Sequence, residues 1–467
     1  MPAQPSKIQS VAGRKCLHTV LDFEPSSHAA EVGYKQPSAV ERIKSTSPTD
    51  SAPNKRTLDS RAIGTPSPAS FPASLVLPGD ELAFDPDYES QSLRSWIKEK
   101  DRNELTEPRN VIYVVAPPEI DPEIECARSW SSPQISKEEQ STTEAALLPK
   151  VEDIIAYLSA FYTGVIVKPP PTRYRFTAWE PSLSKRYPKA RARDLPKYIG
   201  LTTASSTVRI RTRHSQPAPF PHQLHLDDLL DALIEDLPVD AYAILLLTAH
   251  DLYESNDDDF CMGRAYGGSR VAVVSMGRYA PELDEVQEVG EGLHWWPASH
   301  CAEFVGEAVM GGKAPAKKKV KRGVSKAVQE VTEGEESERK AKSPMEEAVA
   351  AYRMQYEEVK ECDPEELREI WLSRVCRTAS HELGHCFGMD HCVYYACNMQ
   401  GTASLIEDGR QPPYLCPVDS AKLLYATGRA IKEHYEALLA FCDQHPKNAL
   451  FVAFGAWLSG RMRELKE

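Results

Sequence analysis

His381, Glu382, His385, Gly388 and His391 have the types and the spacing to do chemistry. They stand in one run, H-E-x-x-H-x-x-G-x-x-H. On a helix, His381 and His385 are four residues apart and project from one face. Two imidazoles so placed can reach one zinc ion with bonds of about 2.0–2.1 Å. Glu382, beside the first histidine, can take a proton from a zinc-bound water and later pass it to a leaving amine. Gly388 lets the chain leave the helix in a conformation that a Cβ disfavours. That turn can bring His391 back as a third ligand. Three protein ligands with an open fourth position make a catalytic zinc site. The competing reading is a buried helix with hydrogen-bonded histidines, and five fixed positions in one motif weigh against it.

The elements that must hold these residues can be read from apolar periodicity. A helical pattern resumes at Met345 and runs, with a break near Asp363-Pro364, into the histidine helix. Leu367, Ile370, Trp371, Val375 and the apolar side of Thr378 share one face, giving that helix a buried back. Upstream, residues 110–118, 165–167, 173–179, 241–248 and 270–276 read as strands. Residues 144–162 and 224–237 read as helices. Strand and helix alternate, which predicts an α/β fold: a mixed twisted sheet with a backing helix and the active-site helix. The strand at 270–276 is the one expected to pair with an extended ligand.

The chain has 467 residues, 36 prolines and a formal net charge of −13. The charge argues against a general nucleic-acid binder. No apolar stretch of membrane-spanning length occurs, so no membrane span is expected. Met1 to Asp22 lacks an apolar core, so no secretory leader is expected and the compartment is read as intracellular and reducing. Residues 1–72 read as a disordered N-terminal tail. Residues 73–310 form an arm and the upper sheet and helix subdomain. Residues 311–344 are a charged, disordered insertion, and 345–467 carry the active-site helix and a smaller helical C-terminal subdomain. The basic run Lys317 to Arg322 has the composition of a nuclear localisation signal or, equally, of a solvated linker, so both cytoplasm and nucleus stay open. Arg186, Lys189, Arg191, Arg193 and Lys197 read as a solvated basic loop rather than an anion site.

Eleven cysteines are present. Cys386, Cys392, Cys397 and Cys416 cluster, and in a reducing compartment clustered cysteines bind metal more often than they form disulfides. Cys126, Cys261, Cys301 and Cys442 read as small buried apolar residues. The histidine run is the metzincin form of the zincin signature. Together with C-x₄-C-x-M directly after His391, and Cys416 beyond it, it resembles the archaemetzincins, in their eukaryotic archaemetzincin-2-like branch. The resemblance is strongest over residues 378–425.

It implies a catalytic zinc on His381, His385 and His391, with Glu382 as general base and acid. It implies Met399 as a tight-turn methionine beneath that metal, and a second zinc on four cysteines, of which Cys392, Cys397 and Cys416 are present. The fourth position of the pattern is Asp419. A carboxylate can bind zinc at about 2.0–2.2 Å, so Asp419 can complete the set. Another residue or water could do so instead, or the second zinc could be absent. The expected function is a zinc metallopeptidase with two Zn²⁺ per chain, acting on peptide substrates in an aminopeptidase-like way on short peptides. The alternatives are a catalytically weak zinc-binding scaffold and a partner-binding protein.

Overall fold

A computed structural model describes residues 18–49, 66–134, 148–179, 196–215, 219–290, 292–311, 342–358 and 363–466. The basic run at 317–322 and Arg186 to Arg193 lie outside the described residues.

The fold is mixed α/β. Five strands make the central sheet: β1 (Val111–Val115), β3 (Ile166–Lys168), β8 (Ala241–Thr248), β10 (Gly263–Tyr266) and β11 (Val271–Ser275). Their order is β10-β11-β8-β1-β3, parallel throughout except for β10. β1, β8 and β11 are buried at every position. That matches their unbroken apolar runs, because a sheet covered on both faces needs no polar side.

On one face lie the helix Val151–Phe161 and the long helix Pro364–Cys386, packed on Ile112, Val114, Leu245, Leu247 and Val274. On the other, Leu226, Leu229, Leu230 and Leu233 of the helix Leu226–Glu235 pack on Ile244, Leu246, Val271 and Val273. A second sheet of six strands adds to that face: β2 (Glu119–Ile120), β4 (Arg175–Thr177), β5 (Tyr198–Thr202), β6 (Thr207–His214), β7 (His222–His225) and β9 (Asp251–Tyr253). Among the described residues, no helix is long and apolar enough to cross a membrane.

Two sequence expectations need correction. Residues 18–49 and 66–72 of the supposed disordered tail are folded, with helices at Ser27–Val32 and Ala39–Ser45. Their order comes from contacts with the distant C-terminal half: the Tyr34 hydroxyl donates to Val393 O at 2.8 Å, and Phe71 packs edge-on against Trp457. Residues 1–17 and 50–65 lie outside the described residues. The helix expected from 224 starts at Leu226, because His222–His225 pairs as a strand with β6 and β9. The helical C-terminal subdomain includes Pro417–Thr427 and Ile431–Cys442, divided where Gly428 takes φ 68°.

Candidate active site and metal centres

The histidine helix is positioned from both ends. Asp363 caps its N-terminus by accepting from the amides of Glu365 and Glu366, and the Glu366 side chain returns to the Asp363 amide. This reciprocal cap satisfies orphan donors and, with Pro364 behind it, sets the helix start. At the other end Gly388 has φ 76°. Its amide donates to His385 O, and the Met389 amide donates to Gly384 O at 3.1 Å. That is a Schellman closure, available because glycine has no Cβ. It turns the chain so that His391 faces the helix.

The methionine expected beneath the metal is there. Met399 is fully buried, and a Cβ added at Gly384 would lie 2.3 Å from its Sδ. Gly384, at a variable position of the motif, is thus a packing requirement. The Met399 carbonyl accepts from the Cys392 amide at 2.7 Å, linking this turn to the residue after His391.

His381, His385 and His391 come together with candidate ligand atoms all within 4.8 Å of one another. Each Nδ1 already has an acceptor: Asn398 O at 2.7 Å, Met389 O at 2.7 Å and Glu81 Oε1 at 2.8 Å. A neutral imidazole that donates through Nδ1 presents a lone pair at Nε2. The Nε2 atoms of His381 and His385 lie 3.0 Å apart. Two facing lone pairs repel, and a cation between them removes the repulsion. A tetrahedral zinc with bonds of about 2.0–2.1 Å would set such nitrogens about 3.3 Å apart. The donor set therefore fits zinc.

Glu382 lines the cleft beside these histidines, in a cavity of about 580 Å³ that continues into a second of about 440 Å³. Burial pushes its carboxyl up to about 7, against the pull of His391 and Arg264. No hydrogen bond among the described residues engages that carboxylate, which leaves it available to a bound molecule. Gly263, Arg264 and Ala265 of β10 form the cleft's upper wall. The strand expected to pair with a ligand was 270–276. The structure corrects this: β11 has β8 on one side and β10 on the other, so β10 is the edge strand that borders the cleft. Cys261, expected as a core residue, also lines the cleft.

The second cluster differs in character. Cys392, Cys397, Cys416 and Asp419 are all buried and also offer atoms within 4.8 Å of one another. The Sγ atoms of Cys392 and Cys416 lie 3.6 Å apart, near the roughly 3.8 Å that zinc–sulfur bonds of about 2.3 Å would impose. Asp419 Oδ2 is 3.3 Å from both Cys397 Sγ and Cys416 Sγ. Its other oxygen accepts from Lys422 Nζ at 2.8 Å. Burial pushes the Asp419 carboxyl up to about 6, with Cys392 adding to the rise and Lys422 opposing it. One carboxylate oxygen is thus held by a buried ammonium and the other faces the thiols. Cys386, the remaining cysteine of the run, is buried but is not one of this cluster's members.

Residues 348–423 match the model of Peptidase family M54. Archaemetzincin-2 of Homo sapiens is 28% identical over 248 residues, covering 53% of this chain and 52% of that protein. Archaemetzincin-2 of Macaca fascicularis is 28% identical over 221 residues, 47% of each chain. The chain spans about half the length of the curated relatives it matches. A crystal structure of archaemetzincin from Methanopyrus kandleri aligns over 70% of this chain and 99% of its own, at 18% identity and a TM-score of 0.31. The histidine helix and the cysteine-rich turn after it lie within the segment that matches the M54 peptidase model. Over about half of its length the chain is similar to archaemetzincin-2.

Sequence reasoning missed Glu81, which meets His391 from 310 residues away, and Gln91, which hydrogen-bonds the loop before it. It also missed Arg377, whose guanidinium donates to Asp408 at 3.0 Å and to Gln411 O at 2.8 Å, under the Met turn. Arg377 lies one turn before His381, so a cation on the buried side of the motif helix was the available signal. Glu81 had none.

Proposed function

We propose that the protein is a zinc-dependent peptidase. The observation that carries this reading is the juxtaposition of three Nε2 lone pairs, a buried carboxylate with no hydrogen-bond partner among the described residues, and a strand edge around one cleft. His381, His385 and His391 would hold the metal. Zinc, when bound, supplies a Lewis acid that polarises a carbonyl and acidifies water. The chain's own residues do the rest. The outward backbone groups of β10 can add an extended peptide as a further strand, which aligns its carbonyl over the histidines. Glu382 takes the proton released as water adds to that carbonyl, and delivers it to the departing amine nitrogen. Its burial keeps it basic enough to accept that proton. The peptide C–N bond breaks, leaving a carboxylate and an amine.

Support comes from the M54 match over the histidine segment and from the donor geometry. The second set, Cys392, Cys397, Cys416 and Asp419, would hold a closed structural zinc. A peptide library with free and blocked N-termini, offered to wild type and to Glu382→Ala, tests the reading. Wild type should cleave, and the variant should be slower by about 10²–10⁴-fold. Cleavage confined to free N-termini would mark an aminopeptidase. Equal turnover by both proteins would leave a zinc-binding scaffold instead.

A further inference from the structure

His381 and His385 are oriented from nearby in the chain, by the carbonyls of Asn398 and Met389. His391 is different. Its Nδ1 meets Glu81, in the N-terminal arm, at 2.8 Å. The same arm grips the chain just before His391 at three further points. Trp96 Nε1 donates to Phe387 O at 2.9 Å. Gln91 Nε2 donates to Gly388 O at 3.0 Å, and Gln91 Oε1 accepts from the Asp390 amide at 3.2 Å.

Glu81 is itself held in place. Its amide donates to Glu407 Oε2 at 2.9 Å. The preceding Asp80 is buried and paired with the Arg410 guanidinium at 2.5 Å. The Glu81 carboxylate lies against the backbone of Gly401, where an added Cβ would come within 2.3 Å of Oε1. Gln91 Oε1 also accepts from Lys422 Nζ at 2.8 Å, and Lys422 is the partner of Asp419. One amide therefore touches both the loop that carries His391 and the cation that holds Asp419.

We propose that the N-terminal arm is a working part of the histidine metal centre. Glu81 is the positioning residue that orients His391 as third ligand, and Gln91 ties the His391 loop to the cysteine–aspartate cluster. Neither residue lies within the 348–423 segment that matches the peptidase family model. The chemistry is a carboxylate–imidazole–metal relay: an acceptor on Nδ1 fixes the tautomer and ring plane and raises the basicity of Nε2. Removing such a partner typically costs about 10–100-fold in metal affinity. The inference rests on the metal-binding part of the proposed function and not on peptidase activity.

The test uses full-length protein loaded with Co²⁺, as wild type, Glu81→Ala, Glu81→Gln and Gln91→Ala. Cobalt held by thiolates shows near-ultraviolet charge transfer and cobalt held by imidazoles does not, so the two centres are read separately. Competition with a chelator gives each affinity. Glu81→Ala should weaken the histidine centre by about 10–100-fold and leave the thiolate signal unchanged. Glu81→Gln keeps an acceptor oxygen and should recover much of the loss, a graded response that mere support of the fold would not show. Gln91→Ala should weaken the histidine centre less than Glu81→Ala and perturb the thiolate bands. Unchanged histidine-centre affinity in Glu81→Ala overturns the proposal. So does an equal loss at both centres in both Glu81 variants. Wild type that binds cobalt as expected but cleaves no peptide would overturn the peptidase reading and leave this inference standing.

Discussion

The two clusters of candidate ligands are adjacent in sequence, His391 beside Cys392, yet they are built for opposite purposes. The histidine centre borders an open cleft, and each of its imidazoles is braced from behind by an acceptor on Nδ1. The cysteine–aspartate centre is closed: all four of its members are buried, and a buried lysine balances part of their charge. A site that keeps an open face can bind and turn over a ligand. A closed one can only lend its binding energy to the fold. The contrast also explains how a carboxylate is tolerated where the archaemetzincin pattern has a thiolate. Lys422 occupies one Asp419 oxygen and aims the other at the sulfurs.

The contrast can be broken most severely at the histidines. His385→Ala should abolish turnover, by more than about 10³-fold if the metal departs with its Lewis acidity, while thermal unfolding moves by only a few degrees. Peptide hydrolysis and calorimetry on one preparation check this. A large melting shift would show that the open centre is structural too.

Next in size is Asp419→Ala, which leaves the buried Lys422 ammonium without its carboxylate partner and with only the Gln91 amide oxygen. A loss of about 3–5 kcal/mol is expected, because an uncompensated buried charge costs that much. Adding Lys422→Met should recover part of it, and denaturant unfolding of the single and double variants measures the difference. No recovery would mean that Asp419 acts through metal ligation alone.

Acid sharpens the comparison with histidines that serve packing rather than ligation. His250, His300 and His434 are buried and each is pushed down to about 4, in every case chiefly by burial. Their folded-state values lie below the ordinary 6.5, so protonation favours the unfolded chain. Stability is full above pH 6.5 and is lost as pH falls toward 4, by on the order of 3 kcal/mol for each residue. Denaturant titrations of metal-free protein across that window test it, and His434→Phe should flatten the slope.

The smallest effect is expected at Gly384→Ala. The new methyl group meets Met399 Sδ, which must move, at a cost of about 1–3 kcal/mol. Gly384→Ala combined with Met399→Ala should cost less than the sum of the two single changes, because the truncated side chain makes room for the methyl group. Unfolding curves of the three variants decide this.

Much of the centre was legible because its logic is local. A helix puts residues four apart on one face, a glycine reverses the chain, and the third histidine follows. The strands β1, β8 and β11 were legible because burial on both faces leaves an apolar run with no alternation. The same rules failed at β6, where only Ile210 is buried and Thr and Arg fill most of the strand, so its pairing comes from neighbouring strands. They failed again over 18–49, where polar and proline-rich sequence is ordered by the surface it covers rather than by a core of its own. The notch at Gly428 was missed because the helical pattern on either side is continuous in apolar content.

The sequence alone determined the ligand types, their helical spacing and the reversal at Gly388, since these depend only on backbone geometry over eleven residues. The tertiary structure decided the rest. It made β10, not β11, the edge strand beside the cleft. It gave Asp419 a lysine, and it brought Glu81 to His391 across 310 residues of chain. Such pairings follow from how layers pack, and no local pattern encodes which distant carboxylate a fold will bring to an imidazole.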